Sequence, residues 1–228
     1  MIEKKFNNNV LIRLFDYFKN RSDKEIHKLV TDNADIPTIF EYILAITWYV
    51  ISGKKGDVLE YMNLSLEADL LPKTHAGGGE ADIVWKYEAT DSYPKHTLLI
   101  EATLSDKNNQ RRMEMEPVSR HLGDYLLKHD NEIAYCIFVS NFLNPNVISD
   151  FRGRKHLDYY SNDGKKSIKG MKIIPLETEE IKTFLKLNTR YEELYKLLDN
   201  IFKSDEEGYS WYQNGIVKEV NSLYSIDN

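Results

Sequence analysis

Asp82 and Glu101 stand on two neighbouring strand-like runs, GGGEADIVWKYEAT and HTLLIEATL, separated by a turn-like stretch that contains Pro94. An antiparallel hairpin built from these runs brings the two carboxylates to one end of a sheet. Side chains alternate between faces along a strand, so Glu101 and Thr103 share a face and Ala102 points away. Two carboxylates held that close repel each other unless a divalent cation lies between them. An acid at one strand end with E-x-T on the next is a magnesium-site pattern, and magnesium with in-line water attack means phosphodiester chemistry. The rival use of Asp82 is a solvated acid at a sheet edge. Against it, the run Gly77, Gly78, Gly79 just before leaves the approach open to a bulky ligand. Glu101 is flanked by Leu98, Leu99, Ile100 and Leu104, where a carboxylate is costly unless it is paired or metal-bound. A structural salt bridge is the competing reading.

Other acids and donors are more ambiguous. Glu41 is the one acid in the first turns of an otherwise apolar helix; it serves either as a further ligand or at a helix N-terminus, where acids are favoured. Glu114 and Glu116 follow the second strand and read, on composition, as exposed helix acids. His75, before the glycine run, is either a surface histidine or a phosphate contact. Trp48, Tyr49 and Tyr125 fall at core spacing and are read as packing, not as stacking platforms.

The elements that must position these residues alternate between helix and strand. NNNVLIRLFDYFKN carries Val10, Leu14, Phe15 and Phe18 at helical spacing. IPTIFEYILAITWYVISGK has Pro37 near its start, Gly53 near its end and apolar residues all round, so it is a buried helix. Residues 62–81 read as a loop. Strands follow at about 82–89 and 97–104, then a helix punctuated by Pro117 that carries Val118, Leu122, Tyr125 and Leu126. AYCIFVS is apolar throughout, which predicts a central strand covered on both faces. A polar, basic stretch leads to MKIIPLE, a last short strand, and the chain is helical from Glu177 onward. This order predicts an α/β sandwich with a mixed sheet of four or five strands.

The chain has 228 residues, enough for one large domain or a core with an appended helical lobe. Its 30 basic and 36 acidic residues give a net charge of -6, unlike a protein that grips a duplex unaided. The single cysteine, Cys136, lies in an apolar run and is expected as a buried thiol in a reducing compartment. No apolar stretch approaches the roughly 20 residues of a membrane span, and the start has no signal-peptide core. The expectation is a soluble, cytoplasmic protein.

Taken together, the helix with Glu41, the strand-start Asp82, and IEATL followed by RRMEMEPVSRHL resemble the cleavage domain of AlwI-type restriction endonucleases. These are type IIS enzymes of the broad PD-(D/E)XK nuclease superfamily. The likeness spans roughly residues 36 to 180. It implies a restriction-endonuclease-like mixed β-sheet flanked by helices, a nuclease core over 1–180, and a helical C-terminal lobe over 181–228 packed on it. It also implies that Glu41, Asp82, Glu101 and Glu114 carry the metal-dependent chemistry, with Mg²⁺ as cofactor and Mn²⁺ as a substitute. Glu116 stays in reserve. Thr103 takes the third motif position, which is usually lysine in the superfamily and threonine or serine in relatives of this type. The proline of the strand-start motif is absent, since Ala81 precedes Asp82. Thr103 cannot carry positive charge, so Arg120 and His121 become candidate cations, with Gln110 as a neutral donor.

Double-stranded DNA is the implied substrate. Between Phe151 and Lys172, seven bases (Arg152, Arg154, Lys155, Lys165, Lys166, Lys169 and Lys172) face only Asp158 and Asp163. This segment reads as a phosphate-contacting stretch or as a solvated loop; Arg111 and Arg112 would add to it. No recognition module is visible. The chain is therefore expected to be an excised cleavage domain or, preferably, the small cleavage subunit of a heterodimer, working with a larger recognition subunit or fused domain. Cutting both strands then needs that partner or a transient dimer. The competing functions are a repair or mobile-element nuclease of this fold, and a DNA-associated assembly protein with a degenerate site.

Overall fold

The structure, a computed structural model, describes residues 5–75, 79–105 and 107–226. Helix α1 (Asn8–Lys19) starts where the Asn7 side chain accepts the Val10 N–H at 3.1 Å, and it buries Leu11, Leu14, Phe15 and Phe18. Val10, expected on that face, is only half-buried. After α2 (Asp23–Leu29), the Asp35 carboxylate caps α3 (Ile36–Ile51) by accepting the Thr38 N–H at 2.8 Å. Buried residues surround α3, with Glu41 among them.

A one-turn helix, α4 (Val58–Tyr61), precedes an antiparallel pair, β1 (Leu64–Leu66) and β2 (Pro72–His75), in the stretch expected to be a loop. Strands this short have too few alternating positions to show a pattern in the sequence. The central sheet has four strands in the order β3 (Ile83–Tyr87), β4 (His96–Thr103), β5 (Ala134–Ser140), β8 (Ile173–Glu177). The first pair is antiparallel and the other two are parallel, so the sheet is mixed. Every residue of β5 is buried, including the free thiol of Cys136, as its continuous apolar run predicts.

Two crossovers build the parallel pairs. From β4 the chain passes through α5 (Lys107–Met113) and α6 (Met115–Lys128) to β5. From β5 it passes through α7 (Pro145–Gly153) and the hairpin β6 (Asp158–Tyr160)–β7 (Ser167–Lys169) to β8. The β3/β4 register gives each helical layer its own face of the sheet. Tyr87 faces α3, where its hydroxyl accepts the Trp48 indole N–H at 2.9 Å. Thr97 and Glu101 face α6, meeting Tyr125 and His121.

Helices α8 (Thr178–Lys186) and α9 (Tyr191–Lys203), a π-helical stretch (Trp211–Val217) and α10 (Lys218–Ile226) complete the described chain. A lobe starting at residue 181 would begin inside α8, which is tied to α1 by the Lys182–Asp16 ion pair at 2.6 Å. On α9, Tyr191 stacks on Tyr87 at 3.8 Å, and its hydroxyl lies 2.6 Å from both His96 Nε2 and the Tyr135 hydroxyl. These contacts fasten the C-terminal helices to the end of β4 opposite Glu101. No helix among the described residues is long and apolar enough to cross a membrane.

Arg152 overturns the expectation of a DNA-facing side chain. Its guanidinium is fully buried and donates to the carbonyls of Phe202, Ser204 and Glu206 at 2.8, 2.6 and 3.0 Å, lying 4.7 Å over the Trp211 ring. Arg152→Ala strands those carbonyls, so a loss of about 3 kcal/mol or more in unfolding free energy is expected. Urea denaturation checks this, and an unchanged midpoint would contradict it.

Candidate active site

The β3/β4 register pairs Ile83 with Ile100, so one residue further Asp82 stands opposite Glu101. The Ala102 N–H holds Asp82 Oδ2 at 2.8 Å, which fixes the carboxylate at the sheet end. Glu101 is buried, and its Oε1 lies 2.7 Å from His121 Nδ1 on α6. Beside it, the buried Thr103 hydroxyl donates to Glu114 Oε1 at 2.7 Å and accepts the Ser105 N–H at 3.0 Å. Glu114 is half-buried at the break between α5 and α6, a more specific placement than an exposed helix acid.

Glu41 reaches the same sheet end from α3, on the opposite face. It is 5 % exposed and lies beyond the first turn of α3, so it is not an acid at the helix N-terminus. Its Oε1 lies 2.9 Å from His75 Nδ1, while His75 Nε2 lies 3.9 Å from Asp35 Oδ2. Asp35 was missed as a member of this group; its sequence signal, an acid two residues before Pro37, marked only a helix cap.

The electrostatics of the acids follow from their burial and their neighbours. Burial, then the charges of Asp82, Asp35 and Glu101, push Glu41 up to about 9. Burial and the Glu101 charge push Asp82 up to about 8, against the opposing Ala102 hydrogen bond. Burial raises Glu101 as well, opposed by the hydrogen bond from His121, and burial raises Glu114, opposed by the hydrogen bond from Thr103. The Glu101 contact in turn raises His121. Burial, with repulsion among the acids, thus disfavours the charged carboxylates, a penalty that a bound cation would offset. The donor set fits magnesium: hard carboxylate oxygens from Asp82 and Glu101, with room for water ligands. Among the described residues no group of three or more His, Cys, Asp or Glu is placed to hold a metal ion.

The remaining expected site residues separate. Arg120 pairs with the exposed Glu116 at 3.0 Å, while His121 lies against Glu101 at 2.7 Å. Gln110 is completely buried and binds Ser140 Oγ at 3.1 Å, the Phe142 carbonyl at 2.6 Å and the Asn144 N–H at 2.7 Å. It secures the loop after β5 instead of reaching toward a substrate. Arg111 and Arg112 are exposed on α5. Arg154 pairs with Asp150 at 3.2 Å, and Lys155 donates to the Ser204 carbonyl at 3.1 Å. Lys165, Lys166 and Lys172 pair with Asp163, Asp130 and Asp199 at 3.3, 3.7 and 3.2 Å. The basic segment is largely neutralised, mostly by acids outside it. Gly77 and Gly78 lie outside the described residues; Gly79 has φ +124°, a conformation that suits glycine.

A mixed sheet with acids gathered at one end, between two helical layers, is a restriction-endonuclease-like fold. It is similar to the small subunit (R.BspD6I2) of the heterodimeric restriction endonuclease R.BspD6I, with TM-score 0.60 and 20% identity over 92% of this chain and 98% of that chain. Residues 1–184 match the AlwI restriction endonuclease family, and the chain belongs to that family. No curated protein matches it significantly.

Proposed function

We propose that this chain is a Mg²⁺-dependent DNA endonuclease that hydrolyses phosphodiesters as the small cleavage subunit of a type IIS heterodimer. The observation that carries the reading is the opposition of Asp82 and Glu101 across β3 and β4, each acid raised by burial and by its neighbours. Bound magnesium would supply a Lewis acid and a water of lowered pKa. Asp82 and Glu101 would hold the ion, the first fixed by the Ala102 N–H and the second oriented by His121. His121 supplies the positive charge that Thr103 lacks. Thr103 instead aims Glu114, which orients water at the edge of the site. Glu41 lies at hydrogen-bond distance from His75, whose ring is half exposed and connects the buried carboxyl to solvent.

The subunit reading draws on the heterodimeric relative, whose small subunit this chain matches over nearly its whole length. A degenerate site is the second reading, favoured by Thr103 at the motif position that is usually lysine. The test has two parts. Calorimetric titration with Mg²⁺ should show binding to wild type, and no heat at any concentration would favour the degenerate site. Incubation of the chain alone with plasmid and Mg²⁺ should give slow nicking without sequence preference, as expected when a partner supplies effective concentration. Efficient cutting at one unique sequence by the chain alone would overturn the subunit reading.

A further inference from the structure

A groove of about 580 Å³ opens between β3 and α6, on the sheet face that carries Glu101. Val84 and Leu99 form its floor. It begins at Ala81, next to Asp82, and at His121, which touches Glu101; its far end is marked by Lys86 and Lys128. A phosphodiester at the acids belongs to a strand, and the next nucleotides of that strand must lie against the surface beside them. Lys86 is on the same face as Asp82, four residues along, or about 13 Å at strand rise. Lys128 is seven residues beyond His121 on α6, or about 10 Å at helix rise. On such a path both lysines stand within a few phosphates of the acids.

Both lysines are exposed, and among the described residues neither forms an ion pair. The groove also contains acids. Glu80 sits at the metal end, two residues before Asp82; Glu60 lies on α4; and Asp124 accepts the Tyr159 hydroxyl at 2.9 Å. By contrast, the 151–172 cations are mostly held in internal pairs. We propose that this groove is the path of the cleaved DNA strand and that Lys86 and Lys128 are its phosphate contacts. The assignment rests on the nuclease reading of the neighbouring acids.

The test measures binding of a short fluorescent duplex of arbitrary sequence to the full chain in EDTA, over a range of salt concentrations. Each neutralised phosphate contributes about 0.9 to the slope of log K against log salt. Lys86→Ala with Lys128→Ala should therefore lower the slope by about two units, and the paired arginine variants should restore it. An unchanged slope in the double alanine variant overturns the assignment. So does a loss of slope confined to Lys165→Ala with Lys166→Ala, which would lay the duplex on the β6–β7 hairpin. Cleavage by Asp82→Ala, measured separately with Mg²⁺, reports on the nuclease reading alone, because the binding assay requires no hydrolysis.

Discussion

Asp82→Ala and Glu101→Ala are each expected to lower the rate of DNA cleavage by about 10³-fold or more, with the fold retained. A metal's Lewis-acid role is worth several kcal/mol of transition-state stabilisation, and each 1.36 kcal/mol is tenfold in rate. These two carboxylates are the ones the β3/β4 register sets against each other. The alanine variants also remove buried acids that burial and mutual repulsion keep raised, so folding without metal should not suffer. Initial rates on plasmid with saturating Mg²⁺, together with circular dichroism, make the comparison. Wild-type rates in either variant would remove that residue from the site.

The second large effect is on stability and has a definite sign. Asp82 rises from its ordinary 3.8 to about 8, and Glu41 from 4.5 to about 9, both because burial and neighbouring acids disfavour the charged form. A carboxyl whose folded pKa lies above its unfolded value contributes stability that is fully present below the unfolded pKa. That stability is lost as pH rises through the folded value. His121, also raised, acts in the same direction: its contribution is present below its ordinary 6.5 and is lost as pH rises through the folded value. The metal-free protein should therefore lose stability continuously from about pH 4 to about pH 9, by the order of a few kcal/mol.

At about 2–4 °C of Tm per kcal/mol for a chain of this size, calorimetry in EDTA resolves the trend. Mg²⁺ at about 100 times its Kd should restore roughly 2.7 kcal/mol, most visibly at high pH, where it replaces the missing protons. Asp82→Asn should flatten the metal-free profile and abolish the Mg²⁺-induced shift. A metal-free Tm that stays level or climbs between pH 5 and 9 would show that these acids are not forced together.

What the sequence by itself determined is the part of the molecule written in local pattern. The apolar circumference of α3, the continuous apolar run of β5 and the alternation around Asp82 and Glu101 each identify an element and the face of its side chains. Period and burial are properties of adjacent residues. That alternation placed the two acids at one end of a sheet, and the register that sets them opposite each other came with the structure. Only the tertiary structure decided which side chains have distant partners. Arg152 looked like a DNA contact because its neighbours in sequence are basic, but its guanidinium meets carbonyls 50 to 54 residues later. Gln110 is consumed by a loop 30 to 34 residues away, and Glu41 finds His75 across 34 residues. Those pairings depend on how α3, α5 and α7 pack around the sheet. A cation bound inside the fold is indistinguishable in composition from one left on its surface.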